Sequence, residues 1–81
     1  MKTFTLIISK VGQNLYTGEA KSLSVPGVEG DMTILAGHEP LVTTLRNATL
    51  SYTDADGQAH EIMLDTDGVL EIADNHVTVL L

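Results

Sequence analysis

The chain has no cysteine. Neither a disulfide nor a thiolate metal site can staple it, and cysteine usage gives no sign of secretion. Aromatic side chains are nearly absent: Phe4, Tyr16 and Tyr52 are the only ones, too few to line a shallow aromatic binding groove. No apolar run is long, and Leu6-Ile7-Ile8 near the start falls far short of a signal-peptide core or a membrane span. Helix signals are scarce, since no window sustains an i, i+3, i+4, i+7 apolar stripe capped at both ends. Beyond Arg46 there is no basic side chain, only Asp54, Asp56, Glu61, Asp65, Asp67, Glu71 and Asp74.

The formal charge of −7 therefore sits in the C-terminal half, because Lys2, Lys10, Lys21 and Arg46 balance Glu19, Glu29, Asp31 and Glu39. Such a surface repels a phosphate backbone, so nucleic acid is not an expected partner. It serves solubility and resists edge-to-edge association, or it steers the chain toward a basic partner. The 81 residues make one domain, expected over 1–81. A chain of this size hides only about 60% of the surface that its unfolded form exposes. It reads as soluble, with no direct membrane insertion.

What is present is strand pattern. Phe4, Leu6 and Ile8 alternate with Thr3, Thr5, Ile7 and Ser9 until Gly12-Gln13-Asn14 interrupts. Leu15-Tyr16-Thr17 and Ala20 to Val25 follow, separated by Gly18, and then the short runs Met32 to Leu35 and Leu41 to Leu45. Leu50 and Tyr52 alternate with polar neighbours up to the hairpin turn Asp54-Ala55-Asp56-Gly57, where Gly57 is suited to positive φ. His60, Ile62 and Leu64 share a face, Asp67-Gly68 and Asp74-Asn75 are turns, and Val77, Val79 and Leu81 share the last inner face. This spacing predicts an all-β fold, an antiparallel β-sandwich or flattened barrel of about eight to ten short strands.

Candidate chemistry is thin. His38, Glu39 and Asp31 form the most site-like group, but no H-x-x-H, H-E-x-x-H or cysteine pattern accompanies them. A His–Asp relay needs a nucleophile, and Ser9, Ser22, Ser24 and Ser51 all lie in strand-like runs without a G-x-S-x-G elbow. The glycine-rich Pro26-Gly27-Val28-Glu29-Gly30-Asp31 lacks a Gly-Lys-Ser/Thr ending and carries carboxylates where a phosphate would sit. It reads as an acidic turn, with Pro26 and Gly27 at the central positions of a type II turn. His60 and His76 look isolated, and Asp65, Asp67 and Asp74 lack the ligand order of a calcium loop. No catalytic, cofactor-binding or metal-binding residue is assigned.

The segment Val25 to Leu50 combines Pro26-Gly27-x-Glu29-Gly30-Asp31-Met32 with Gly37-His38-x-Pro40-Leu41 and Thr43-x-Leu45. Tyr16-Thr17-Gly18-Glu19-Ala20 precedes it, and Gly68 to Ile72 and Asn75 to Leu80 follow. In this order the chain resembles the epsilon subunits of F-type ATP synthases (delta in mitochondria) over nearly its whole length. The resemblance implies a non-catalytic central-stalk subunit, coupling the gamma subunit to the membrane rotor ring of c subunits. It implies location on the cytoplasmic face of the bacterial inner membrane, as a peripheral part of the complex. It puts Glu29, Gly30 and Asp31 at the rotor ring, and His38, Leu41, Val42 and Thr43 at the gamma subunit. Epsilon subunits usually continue into an inhibitory C-terminal helical hairpin, which in some members binds ATP. No residues here correspond to it, so inhibition and nucleotide sensing are not carried over. Thr33 stands where the family often has Gly, Ala36 where it has Pro, and Arg46-Asn47-Ala48 where it has Pro-Gly. These change loop stiffness more than topology, and Asn47 can adopt the left-handed conformation. The alternative reading is a stand-alone β-sandwich protein-binding module.

Overall fold

Alternation of apolar and polar residues sets the architecture. The computed structural model describes residues 2–81, and among them there are eight strands and no helix. They are β1 (Phe4–Lys10), β2 (Gln13–Gly27), β3 (Gly30–Leu35), β4 (Leu41–Leu45), β5 (Thr49–Asp54), β6 (Ala59–Met63), β7 (Gly68–Ala73) and β8 (His76–Leu80). The fold is all-β, as the spacing predicts, and the strand count falls at the lower end of the expected range.

Two features differ from the sequence expectation. The sheet is mixed, not purely antiparallel, because β1 lies parallel to β8 from Thr5↔His76 to Ser9↔Leu80. Strands joined by tight turns must run antiparallel, whereas strands from opposite ends of the chain carry no such constraint. The second difference is β2, which runs unbroken through Gly18 for 15 residues. Gly18 sits opposite Leu6, and a Cβ there would come 2.9 Å from the Tyr16 hydroxyl. Its lack of a side chain makes room for Tyr16 and does not end the strand.

Instead of breaking, β2 bends. Leu15 is an extra residue between the pairs Ser9↔Asn14 and Ile8↔Tyr16, and Lys21 is extra between Ala20↔Asp54 and Ser22↔Thr53. Such irregularities bend a strand and increase its twist. Bent this way, β2 pairs with β1 along its first half, with β5 and β3 along its second, and reaches β4 at Gly27↔Leu45. It therefore belongs to both layers: β2-β1-β8-β7-β4 on one side, and β3-β2-β5-β6 on the other.

The core lies between these layers. Leu6, Ile8, Leu70, Val77 and Val79 from the first meet Leu23, Ile34 and Leu50 from the second, all fully buried. Burial of each such side chain contributes roughly 1.5–3 kcal/mol, and no polar or charged residue is buried among the described residues. At the outer edge, β6 keeps only Ile62 half-buried, with Leu64 buried just beyond it. His60 is exposed but not isolated. Its ring stacks on Tyr52, with centroids 4.8 Å apart, and its Nε2 lies 2.8 Å from Asp54 Oδ2. Tyr52 in turn packs on Tyr16 at 4.6 Å.

The turns follow local chemistry with two corrections. Asp54 Oδ1 accepts the amides of Asp56 and Gln58, and Gly57 has φ +87°, as the Asp54–Gly57 motif predicts. Pro26 and Gly27, by contrast, are not the centre of a turn. They close β2 opposite Asp31 and Gly30, so Val28 and Glu29 form the turn. The positive φ falls on Gly30, at +136°. Asn47 does not take the left-handed conformation either; among the described non-glycine residues only Asp74 and Asn75 have positive φ.

Candidate functional site

The β2–β3 hairpin ends in the exposed tip Val28-Glu29-Gly30-Asp31. Backbone bonds brace it against β4: Val28 donates to the Thr44 carbonyl at 3.0 Å, and Arg46 donates to the Pro26 carbonyl at 2.9 Å. The Arg46 side chain adds a third link, its Nη2 reaching Asp31 Oδ1 at 2.6 Å. Asp31 therefore already has a counter-ion within the chain. Glu29 forms no ion pair among the described residues and is the uncompensated carboxylate of the tip.

The tip shares a shallow cleft of about 320 Å³ with β4, lined by Glu29, Gly30, Asp31, Met32, Leu41 and Thr43 among others. The residues singled out for two different partners thus meet at one opening. Within β4 the residues named together divide. Leu41 and Thr43 pair with Ile72 and Leu70 on the inner side, while Val42 pairs with Glu71 on the outer side. His38 stands apart on the turn before β4, half-buried, with Nδ1 2.8 Å from the Glu39 carbonyl. The His38, Glu39 and Asp31 group does not assemble: the His38 ring bonds a backbone oxygen, and Asp31 is held by Arg46. No group of three or more potential ligands converges on a metal site among the described residues.

Register creates a second feature. On the outer face of β4-β7-β8-β1, Val42 pairs with Glu71, Val69 pairs with Leu80, and Ile7 pairs with Thr78. Val42, Val69 and Leu80 are 68%, 41% and 53% exposed, and with half-buried Ile7 they form an apolar band that arcs across four strands, curving around Glu71 and Thr78, which lie between Val42 and Ile7 in their row. Val69, Leu80 and Ile7 are not among the contact residues expected from the sequence, although the sequence carries a signal for them. Each is apolar at a position that alternation reserves for a polar residue: Val69 directly before Leu70, Leu80 between Val79 and Leu81, and Ile7 between Leu6 and Ile8. Arg46 and Asn75 left no such signal, since their partners are remote in sequence. Asn75 Oδ1 accepts the Gly37 amide at 2.9 Å, and its Nδ2 donates to the Thr3 carbonyl at 2.9 Å.

Two carboxylates have perturbed acidity. Glu19 is held below the usual range chiefly by the hydroxyls of Thr3 and Thr5, which donate to it at 2.8 and 2.9 Å. Asp54 is lowered chiefly by its hydrogen bond to His60, and then by the Gln58 amide. Both stabilise strand ends and turns, and neither faces a cleft that would make it a catalytic acid or base.

Comparison with known proteins gives a consistent picture. The family profile described as "ATP synthase, Delta/Epsilon chain, beta-sandwich domain" matches residues 3–81. An ATP synthase epsilon chain from Afipia carboxidovorans is 38% identical over 80 residues, which cover 99% of this chain and 57% of that protein. The chain thus spans a little over half the length of that relative. Among solved structures, it matches a chain of the Euglena gracilis mitochondrial ATP synthase (OSCP/F1/c-ring, rotational state 1) with a TM-score of 0.88 and 20% identity, covering 96% of this chain and 49% of that one. It matches one of the Tetrahymena thermophila mitochondrial ATP synthase (central stalk/c-ring) with a TM-score of 0.77 and 12% identity, covering 98% and 63%. At these identities the structural likeness shows the fold.

Proposed function

The chain belongs to the ATP synthase delta/epsilon β-sandwich family, and on that premise we propose that it is a non-catalytic central-stalk module of an F-type ATP synthase. In this reading it joins the gamma subunit to the ring of c subunits, peripheral to the cytoplasmic face of a bacterial inner membrane. The observation that carries the reading is that exposed Val42, Val69 and Leu80, with half-buried Ile7, gather on adjacent strands of one outer face, whereas the middle strands of the other carry serine and threonine and its exposed Leu35 and Met63 lie apart on edge strands. A band of this kind supports a lasting protein contact, and gamma is the partner proposed for it, with the His38 turn and the rim residues Leu41 and Thr43 at its margin. The hairpin tip is proposed for the ring, with Glu29 supplying the free charge and Asp31 and Gly30 its shape. A hydrogen-bonded sandwich braced at both ends suits torque transfer, which needs a stiff coupling.

The test is reconstitution with purified gamma and c-ring at two salt concentrations. Glu29→Lys weakens attachment to the ring by about tenfold, in a salt-dependent way, because it reverses an uncompensated interfacial charge. Asp31→Asn has a smaller effect, since Arg46 already neutralises that carboxylate, and neither change alters affinity for gamma. No measurable binding to gamma would overturn the proposal in favour of a stand-alone binding module. Salt-insensitive ring attachment of the Glu29 variant would remove the tip from the contact.

A further inference from the structure

The Ala36–Pro40 turn carries His38 but has little to hold it. It lies between strands, outside any ladder, and its own backbone bond is His38 N–H to the Leu35 carbonyl at 3.2 Å. On the side facing the N-terminal segment there is no tight packing but a cleft of about 350 Å³, lined by Lys2, Thr3, Ala36, Gly37 and Asn75. What crosses this gap is the Asn75 side-chain amide. Its oxygen accepts the Gly37 amide from 38 residues away at 2.9 Å, and its nitrogen donates to the Thr3 carbonyl from 72 residues away at 2.9 Å. The Asn75 backbone carbonyl accepts the Thr5 amide at 3.1 Å.

We propose that Asn75 is a positioning residue, fixing the Gly37–His38 turn in the shape in which the gamma subunit reads it. The inference rests on the reading of His38 as a gamma contact. Asparagine serves both ends of this bridge. A donor at Gly37 and an acceptor at Thr3 must be served by one short planar group, which also fixes the orientation of the amide. The residue must also sit at φ +61° in the β7–β8 turn, a conformation that Asn tolerates and most side chains do not. Asp keeps the backbone and the acceptor but loses the donor toward Thr3. Gly keeps only the backbone. The two substitutions therefore separate the turn's anchor from the β7–β8 turn itself.

The test pairs hydrogen exchange, read amide by amide, with titration of purified gamma. In Asn75→Gly, the Gly37 amide exchanges about tenfold faster than in the parent protein while β7 and β8 amides stay protected. Affinity for gamma falls by about five- to tenfold. In Asn75→Asp, Gly37 remains protected and affinity stays within about twofold, because the acceptor is retained. Unchanged Gly37 exchange in Asn75→Gly, or acceleration equal to that of the core amides, overturns the proposal, since Asn75 would then act only through overall stability. His38→Ala separates the remaining cases. If Gly37 is released selectively, gamma affinity is unchanged and His38→Ala does weaken binding, the positioning role is overturned. If His38→Ala also leaves binding unchanged, it is the assignment of His38 to the gamma contact that falls.

Discussion

The two outer faces of this sandwich are built on the same pleat and differ in what they offer. Across β4-β7-β8-β1, the outward positions include Val42, Val69, Leu80 and Ile7. Across β3-β2-β5-β6, the outward rows are Thr33, Ser24, Ser51 and Glu61, and then Leu35, Ser22, Thr53 and Ala59, with Met63 near the end of β6. Hydroxyls on a strand surface are satisfied by water, so the middle of the second face is complete as it stands, and its exposed Leu35 and Met63 stand apart on the edge strands β3 and β6. The first face gathers apolar residues on adjacent strands, as surfaces that take a partner do. An inner face has to be apolar for the domain to fold at all, and so identifies no partner. An outer face has no such requirement, and for that reason its apolar residues are informative.

The largest effect tests whether faces that differ outside share one interior. Leu70→Ala, from the layer with the apolar band, and Leu50→Ala, from the hydroxyl layer, should each cost about 2–5 kcal/mol. Urea unfolding should stay a single transition in both, because the bent β2 belongs to both layers. Separate transitions for the two layers would break the picture of one core.

A smaller effect contrasts the faces directly. Val69→Glu or Leu80→Glu should reduce gamma affinity about hundredfold, on the order of 3 kcal/mol, by burying a charge at the contact. Stability should shift by only about 0.5 kcal/mol, as for other exposed positions. Ser24→Lys and Thr33→Lys on the hydroxyl face should leave gamma affinity within about threefold. Equal losses on both faces would mean that the apolar band does not select the partner's side.

The smallest effect is acid sensitivity, and it acts on both sides of the molecule. Glu19, at the margin of the apolar face, and Asp54, at the β5–β6 turn, are both held below the usual carboxylate pKa in the folded state. The stability they contribute is fully present above the ordinary carboxylate value of about 4 and is lost as pH falls through the lowered folded values. Thermal unfolding should therefore show a modest decline below about pH 4. Glu19→Gln and Asp54→Asn should each flatten part of that decline, and an unchanged acid profile in both variants would remove these groups from the account.

The strand set was legible because alternation is a local, period-two signal. Leu6 and Ile8, Leu50 and Tyr52, and Val77 and Val79 could each be assigned to one face from near neighbours alone, and all are buried. The Asp54–Gly57 turn was legible for the same reason, since its bonds span only a few residues. The acidic turn was legible in kind but not in register. Its composition announced a reversal, whereas its position at Val28-Glu29, just past Pro26-Gly27, depended on those residues pairing with β3 and β4.

The candidate site was less legible, because its residues come together only across strands. The sequence by itself determined an all-β chain, its inner faces, its acidic second half and its family motifs, since each of these is written in adjacent residues or in composition. Only the tertiary structure decided that β2 bends through both layers, that β8 returns beside β1, and that Arg46 neutralises Asp31. It alone aligned Val42, Val69, Leu80 and Ile7 into one band, scattered His38, Glu39 and Asp31, and brought Asn75 to Gly37. The physical reason is register. Each pairing fixes which distant residues become neighbours, and shifting a strand by one residue would turn every side chain on it to the other face.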